Sequence, residues 1–259
     1  MRVRTIIDKE WEEIVKNKSV FWSLVLLPLI LTVIFLGVFF FMNLEQQRSG
    51  TVSTNDPLPA YLAGYDEVDA VQIMMLNQFL IYFLMAPLAL PIYIAAYSII
   101  GEKQTHSLEP LLATPVHTWE LLLGKAAAAV IPPIIATWLA YLLFAVGAHA
   151  LVSDVAFGVI VSPVWLLAMA LLSPLFGVLS VLVGVIASSR MNDPRAAQQW
   201  SALFIIPVVA VGLGLMLGAI AASLWTLLLG ALVTLLVDGV ALVAAIRLFQ
   251  RETILTRWK

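Results

Sequence analysis

Five stretches of this chain contain no Asp, Glu, Lys or Arg: residues 19–44, 70–101, 126–153, 155–189 and 196–237. Each exceeds the ~20 residues a helix needs to cross a bilayer. Apolar residues run continuously through them and do not alternate with polar ones, so the pattern of a membrane barrel is absent. The last stretch has 42 residues, about 63 Å as one helix at 1.5 Å per residue, twice the hydrocarbon thickness. It must fold back. The break is expected at 218–225, where Ser223 is placed to cap a new helix and Trp225 suits an interface. The pattern predicts an all-α membrane protein, a single transmembrane domain over 1–259. Its six transmembrane helices are expected at 20–42, 73–99, 127–150, 164–188, 199–219 and 224–246.

Charge placement sets the orientation. With the amino terminus inside, thirteen of the fourteen basic residues fall on the cytosolic side and only Arg48 falls outside. Five spans would put the four basic residues of the tail at 247–259 outside, against the positive-inside rule. Six spans with both termini cytosolic is the expected topology. Composition agrees: 62% of residues are hydrophobic and 12% charged, where soluble domains run at roughly 45–50% and 25%. The chain has no cysteine, which excludes disulfides and thiolate metal sites.

Residues 1–19 are expected to form an amphipathic helix on the inner membrane surface. Val3, Ile7, Trp11, Ile14 and Lys18 recur at helical spacing, with Asp8, Glu12 and Glu13 mostly away from that face. Thr5 and Asp8 read as an imperfect capping pair. The alternative is an ordinary charged leader that only sets orientation. The outer loop at 43–72 is turn-rich, with Gly50, Pro57, Pro59 and Gly64, and carries Glu45, Asp56, Asp66, Glu67 and Asp69 against Arg48.

Between two apolar runs of about thirty residues each lies GEKQTHSLEPLLATPVHTWELLLGK, residues 101–125. Ser107 is a good N-cap, Glu109 suits a helix start, and Pro110 lies in the first turn, where its missing N–H matters little. Leu108, Leu111 and Leu112 make a small apolar face. Thr114 and Pro115 then restart the chain. A short capped helix between two membrane spans suits the transmission of force; the alternative is a re-entry loop lying on the lipid surface.

This segment, from Gly101-Glu-Lys through Ser107-Leu-Glu-Pro-Leu-Leu-Ala-Thr-Pro115 to Glu120-Leu-Leu-Leu-Gly-Lys125, resembles the loop signature of ABC-2-type transporter permeases, particularly the sodium-exporter-like branch. The tail Arg247-Leu-Phe-Gln-Arg-Glu-Thr-Ile-Leu255 and the Glu10-Trp-Glu-Glu-Ile leader are similar to that branch as well. The resemblance implies a membrane subunit that pairs with a second permease, identical or different, and with two ATPase subunits. It implies a connecting helix in the leader, carried here by Ile7, Trp11 and Ile14. It also implies a coupling helix fitting a groove on the ATPase. That helix would be Ser107, Leu108, Glu109, Leu111, Leu112 and their neighbours to Ala113, approached from Glu102. In one respect the chain departs from the pattern. The link at 218–223 leaves little room for the short re-entrant helices of polymer exporters.

No phosphate-binding loop is present. The only Gly-Lys pair, Gly124-Lys125, has Trp119 where the first glycine belongs and Ala126 where the hydroxyl belongs. The chain is therefore not expected to be an enzyme or to hold a cofactor or metal. ATP and Mg would be bound by the partner ATPase. No clustered nucleophile and base suggests an intramembrane enzyme, and nothing points to nucleic acid.

Ionisable groups inside a membrane are functional candidates by default. Asp238 lies nine residues before Arg247, about 13 Å deep along a helix. It suits a cation path or a protonated hydrogen bond between helices. Asn77, Gln78, Tyr82, Thr137 and Tyr141 are the other candidates for lining a translocation path, or else for interhelical hydrogen bonds. The reading that results is the permease of an ATP-driven exporter, multi-pass in a cell membrane, the prokaryotic inner or plasma membrane, with its cargo open among cation, drug, peptide and lipid. The alternative is a stand-alone secondary transporter or channel using Asp238.

Overall fold

The computed structural model describes residues 2–49, 59–105, 118–191, 193–216 and 223–248. Among them there is no strand. The helices, in chain order, are α1 (Arg2–Lys16), α2 (Lys18–Ser49), α3 (Glu67–Gln104), α4 (Thr118–Ala148), α5 (Asp154–Ile160) and α6 (Pro163–Leu167). A π-helical turn (Ala168–Leu172) leads into α7 (Ser173–Arg190), followed by α8 (Pro194–Ala202), α9 (Ile206–Met216) and α10 (Leu224–Leu248). Five stretches are long and apolar enough to cross a membrane: α2, α3, α4, the run from α5 through α7, and α10.

The helices outrun the apolar sequence that predicts them. α3 has 38 residues, about 57 Å at 1.5 Å per residue, against a hydrocarbon core of about 30 Å. A helix does not stop where its side chains become polar, because its hydrogen bonds are internal. The segment expected as a loop at 101–125 is therefore helical at both ends, to Gln104 and from Thr118. Residues 106–117, and with them Ser107, Leu108, Glu109, Leu111 and Leu112, lie outside the described residues.

Of the two caps expected from the sequence within the described residues, one changes and one holds. Thr5 and Asp8 do not cap α1, which is already helical from Arg2; Asp8 instead lies beside Arg4, one turn back on the same helix. The cap that exists is Asn17, whose Oδ1 accepts from the N–H groups of Ser19 and Val20 at the start of α2. Ser223, by contrast, caps α10 as expected: its Oγ accepts from Thr226 N–H, and Thr226 Oγ1 accepts from Ser223 N–H in return.

The span expected at 199–219 falls on two short helices, α8 and α9, and its outer end lies outside the described residues. The interruption has a cause. Pro207 has no N–H to offer the Leu203 carbonyl, which instead accepts from Ile206 at 3.3 Å. Leu203, Phe204 and Ile205 likewise bond three residues back, to Trp200, Ser201 and Ala202, so the chain tightens from α to 3₁₀ pitch for one turn.

α3 is the hub, packed against α2, α4, α5, α7, α8 and α9. On its amino-terminal half an aromatic core joins α2, α3, α4 and α6. Phe35 stacks on Phe79 at 3.9 Å, and Phe39, Phe83, Phe144 and Trp165 close around them. On its carboxy-terminal half a second core joins α1, α2, α3, α4 and α7 through Ile14, Leu24, Ile99, Leu121 and Leu182. Two polar ties join the helices beyond the aromatic core. Asn43 Nδ2 donates to the Leu151 carbonyl at 2.7 Å, and Gln72 Oε1 accepts from Ser153 N–H at 2.9 Å.

Candidate functional site

α1 lies along the first turns of α4 and also touches α2. Val3, Ile6, Ile7, Glu10, Ile14 and Asn17 form its inward face, at the three-and-four spacing of a helix stripe. Ile14 is buried in the second core and Ile7 is half-buried, while Trp11 sits at the edge and donates its indole N–H to the Ala128 carbonyl at 3.2 Å. Close approach is possible because α4 has no side chain at Gly124. A Cβ there would stand 2.8 Å from Ile6 Cγ2.

One residue of that stripe is a carboxylate. Glu10 is 4% exposed, a position in which an unpaired charge would be strongly disfavoured. It is met by Lys125 from α4, equally buried, whose Nζ lies 2.7 Å from Glu10 Oε1. The same ammonium donates to Glu102 Oε1 on α3 at 2.9 Å and to Ser98 Oγ at 2.7 Å. An ammonium has three N–H donors, and each has an acceptor here. Ser98 passes its own proton to Glu10 Oε2 at 2.8 Å, so both oxygens of Glu10 are bonded as well. Lys9 completes the group from the rim, 3.2 Å from Glu102 and 3.3 Å from Glu13. Partial burial opposes the Lys9 charge, yet the Glu102, Glu13 and Glu10 carboxylates outweigh it and hold its pKa above the ordinary lysine value.

The ammonium groups of Lys125 and Lys9 thus meet three carboxylates, Glu10, Glu102 and Glu13, with both oxygens of Glu10 and Oε1 of Glu102 engaged. Bonds that join three helices at one buried point fix their geometry. What they fix is specific. Glu102 lies at the end of α3 and Lys125 near the start of α4, so their ion pair closes the two stems of the segment 103–124. Glu10 fastens α1 to the same closure. α1, α3 and α4 are thus joined at one point beside the base of that segment.

Of the residues singled out in the sequence for coupling, Glu102 is in this cluster, and Ile7, Trp11 and Ile14 hold α1 beside it. Glu10, Ser98, Lys125 and Lys9 were not foreseen. The available signal was Glu10 itself, which shares the helical face of Val3, Ile7 and Ile14 and so requires a cation from elsewhere.

The candidates for a path are dispersed. Thr137 is fully buried and donates to the Pro133 carbonyl at 2.8 Å, within its own helix. Tyr141 is buried and donates to the Ile160 carbonyl at 2.8 Å, pinning α4 to the end of α5. Asn77 and Gln78 are half-buried on the amino-terminal half of α3, and Tyr82 is exposed there beside Phe35. Asp238 stands apart from these, buried on the α10 face that packs against α7.

The sequence model of the family described as ABC-2 family transporter protein matches residues 4–240. No curated protein matches the chain. The match takes in α1, the ionic cluster, both stems of the 103–124 segment and α10 as far as Val240.

Proposed function

This chain belongs to the ABC-2 family of transporter proteins, and from that membership we propose that it is the permease half of an ATP-driven exporter, working as a dimer with two separate ATPase subunits. Membership makes it a membrane component of an ABC transporter. The dimer, the ATPase stoichiometry, the six-span topology with both termini on the ATPase side, and a cargo among cations, drugs, peptides and lipids belong to the proposal.

The observation that carries it is the closure of the two stems of residues 103–124 by Glu102 and Lys125, with α1 fastened to them through Glu10. A partner that seats residues 107–113 moves the inner ends of α3 and α4, and α1 with them, as one piece. A surface loop with no mechanical role has no need of a buried ion pair across its base. Residues 1–19 then serve as the connecting helix, with Ile7, Trp11 and Ile14 anchoring it.

Replacing Leu108, Leu111 and Leu112 together by Asp tests the seat. The permease is expected to reach the membrane at the normal level, and the ATPase to be lost on co-purification. If the ATPase still co-purifies at the parental ratio, residues 107–113 are not the docking element. Transport by the chain alone in vesicles, driven by an ion gradient and needing no ATPase, would favour the stand-alone reading centred on Asp238.

A further inference from the structure

α10 meets α7 along a regular seam. Leu227, Ala231, Thr234, Asp238 and Ala245 are its buried positions, spaced as one stripe of a helix, with Ala241 half-buried in the same line. Asp238 is 6% exposed, and among the described residues neither of its carboxyl oxygens has a hydrogen-bond partner. Thr234, one turn away, has already given its hydroxyl proton to the Gly230 carbonyl at 2.8 Å.

Among the described residues no counter-charge is at hand. The elements packed against α10 are α6, the π turn and α7. From Pro163 to Ser189 they contain no Asp, Glu, Lys, Arg, His or Tyr, and the first charge is Arg190 at the end of α7. On α10 itself the only other charged residue is Arg247. The far side of the helix exposes Leu235, Leu236, Val237 and Val240, a lipid-facing surface from which water is absent. A carboxylate ion at such a point has neither solvent nor partner, so the neutral acid is the favoured form. Toward the Arg247 end the seam runs on through the small side chains of Ala241 and Ala245, in one core with Leu182 and Val185 of α7, and separation of the two helices there would bring water to Asp238.

We propose that Asp238 is a proton-binding site, neutral while the α7–α10 seam is closed and ionised when the seam admits water. Opening breaks the carboxyl O–H bond and passes the proton to water, leaving the carboxylate solvated; closing reverses the transfer. Acid therefore favours the closed seam and alkali the open one. The site does not depend on which cargo is carried. Its part in a transport cycle rests on the exporter reading.

Two measurements on the purified full-length chain in lipid nanodiscs need neither ATPase nor cargo. Infrared spectra at neutral pH are expected to show the carbonyl stretch of a protonated carboxyl that titrates away in alkali, is missing in Asp238→Asn and moves in Asp238→Glu. The thermal midpoint of the parent is expected to fall as the pH is raised through that titration, while Asp238→Asn stays level. A third measurement uses the assembled transporter. ATP added in weak buffer is expected to release about one proton per opened seam, detected with a pH dye after subtracting hydrolysis. Asp238→Asn is expected to lose that release. A neutral-pH spectrum with no carboxyl band assignable to Asp238 overturns the site. A clear band with no ATP-linked release overturns its use in the cycle. Loss of ATPase association, with the band intact, counts against the exporter reading alone.

Discussion

Replacing Lys125 with methionine is expected to lower the thermal midpoint more than any other single change of similar volume, and to release α1 from α4. Methionine fills much of the same space but offers no donor. Glu10 Oε1, Glu102 Oε1 and Ser98 Oγ each lose a bond of 2.7–2.9 Å at once, and Glu10 is left as a buried carboxylate with Ser98 as its remaining partner among the bonds described here. Removing one member of a buried ion pair costs about 3–5 kcal/mol, because the surviving charge has no compensation. The pair itself need not be worth that much, which gives the experiment its control. Adding Glu10→Gln and Glu102→Gln to Lys125→Met removes the stranded charges and is expected to recover most of the midpoint. Function should separate from stability in the same set. The neutral triple variant keeps packing but lacks the rigid tie, so ATP hydrolysis by the assembled transporter is expected to continue while cargo movement falls. Tryptophan fluorescence during heating and protease cleavage within α1 report the first effect, and vesicle transport the second. A Lys125→Met protein with the parental midpoint and a protected α1 would show that the cluster bears no load.

The membrane architecture is legible in the sequence because the bilayer leaves few choices: long uncharged runs must be helices. What the runs do not reveal is where the helices end. The polar residues at 67–72 and 102–104 extend α3 through internal hydrogen bonds that hydropathy does not register. Pro207 was visible inside the fifth span, yet its consequence, a tightened turn at 203–205, depends on which carbonyl it orphans. The ionic cluster was half legible. Glu102 stood out as the approach to a loop, and Lys125 as a charge marking the inner side. Their pairing, and the part of Glu10 in it, depends on α1 turning its Glu10 face toward α4, which a helical wheel shows to be unusual without showing the partner. Thr137 and Tyr141 illustrate the converse. Polar residues in apolar spans suit a path and a structural hydrogen bond alike, and the bonds these hydroxyls make to the carbonyls at 133 and 160 are not visible in the sequence.

The second large effect is expected at Gly184, where α7 crosses α3. In a bilayer, helices gain little from burying apolar surface against each other, and association rests on close packing and hydrogen bonds. Both are concentrated here. A Cβ on Gly184 would lie 3.3 Å from Ala95 Cβ, 3.3 Å from the Ile92 carbonyl oxygen and 3.4 Å from Ile92 Cα. One turn away Ser180 Oγ accepts from Ile92 N–H at 2.8 Å, next to Pro91, which has no N–H of its own. Alanine at 184 meets Ala95 Cβ and the Ile92 carbonyl at 3.3 Å, both fixed to the α3 backbone, so the two helices must give by a few tenths of an ångström, a cost that the gain in helix propensity of about 1 kcal/mol offsets in Gly184→Ala. Leucine has to displace backbone. It forces α3 and α7 apart, with about 1–3 kcal/mol of overpacking, and it pulls Ile92 N–H from Ser180 where no water replaces the acceptor, a further loss of about 1–3 kcal/mol. Gly230 supplies the comparison, a glycine in α10 with nothing within 4 Å of its added Cβ, where leucine should leave the midpoint level or raise it. Ser180→Ala separates the two terms, since it removes the acceptor without adding volume and should lower the midpoint by less than Gly184→Leu. Thermal midpoints of the four variants in one detergent decide the matter. Equal shifts for leucine at 184 and 230 would mean that the α3–α7 crossing is not held by close contact.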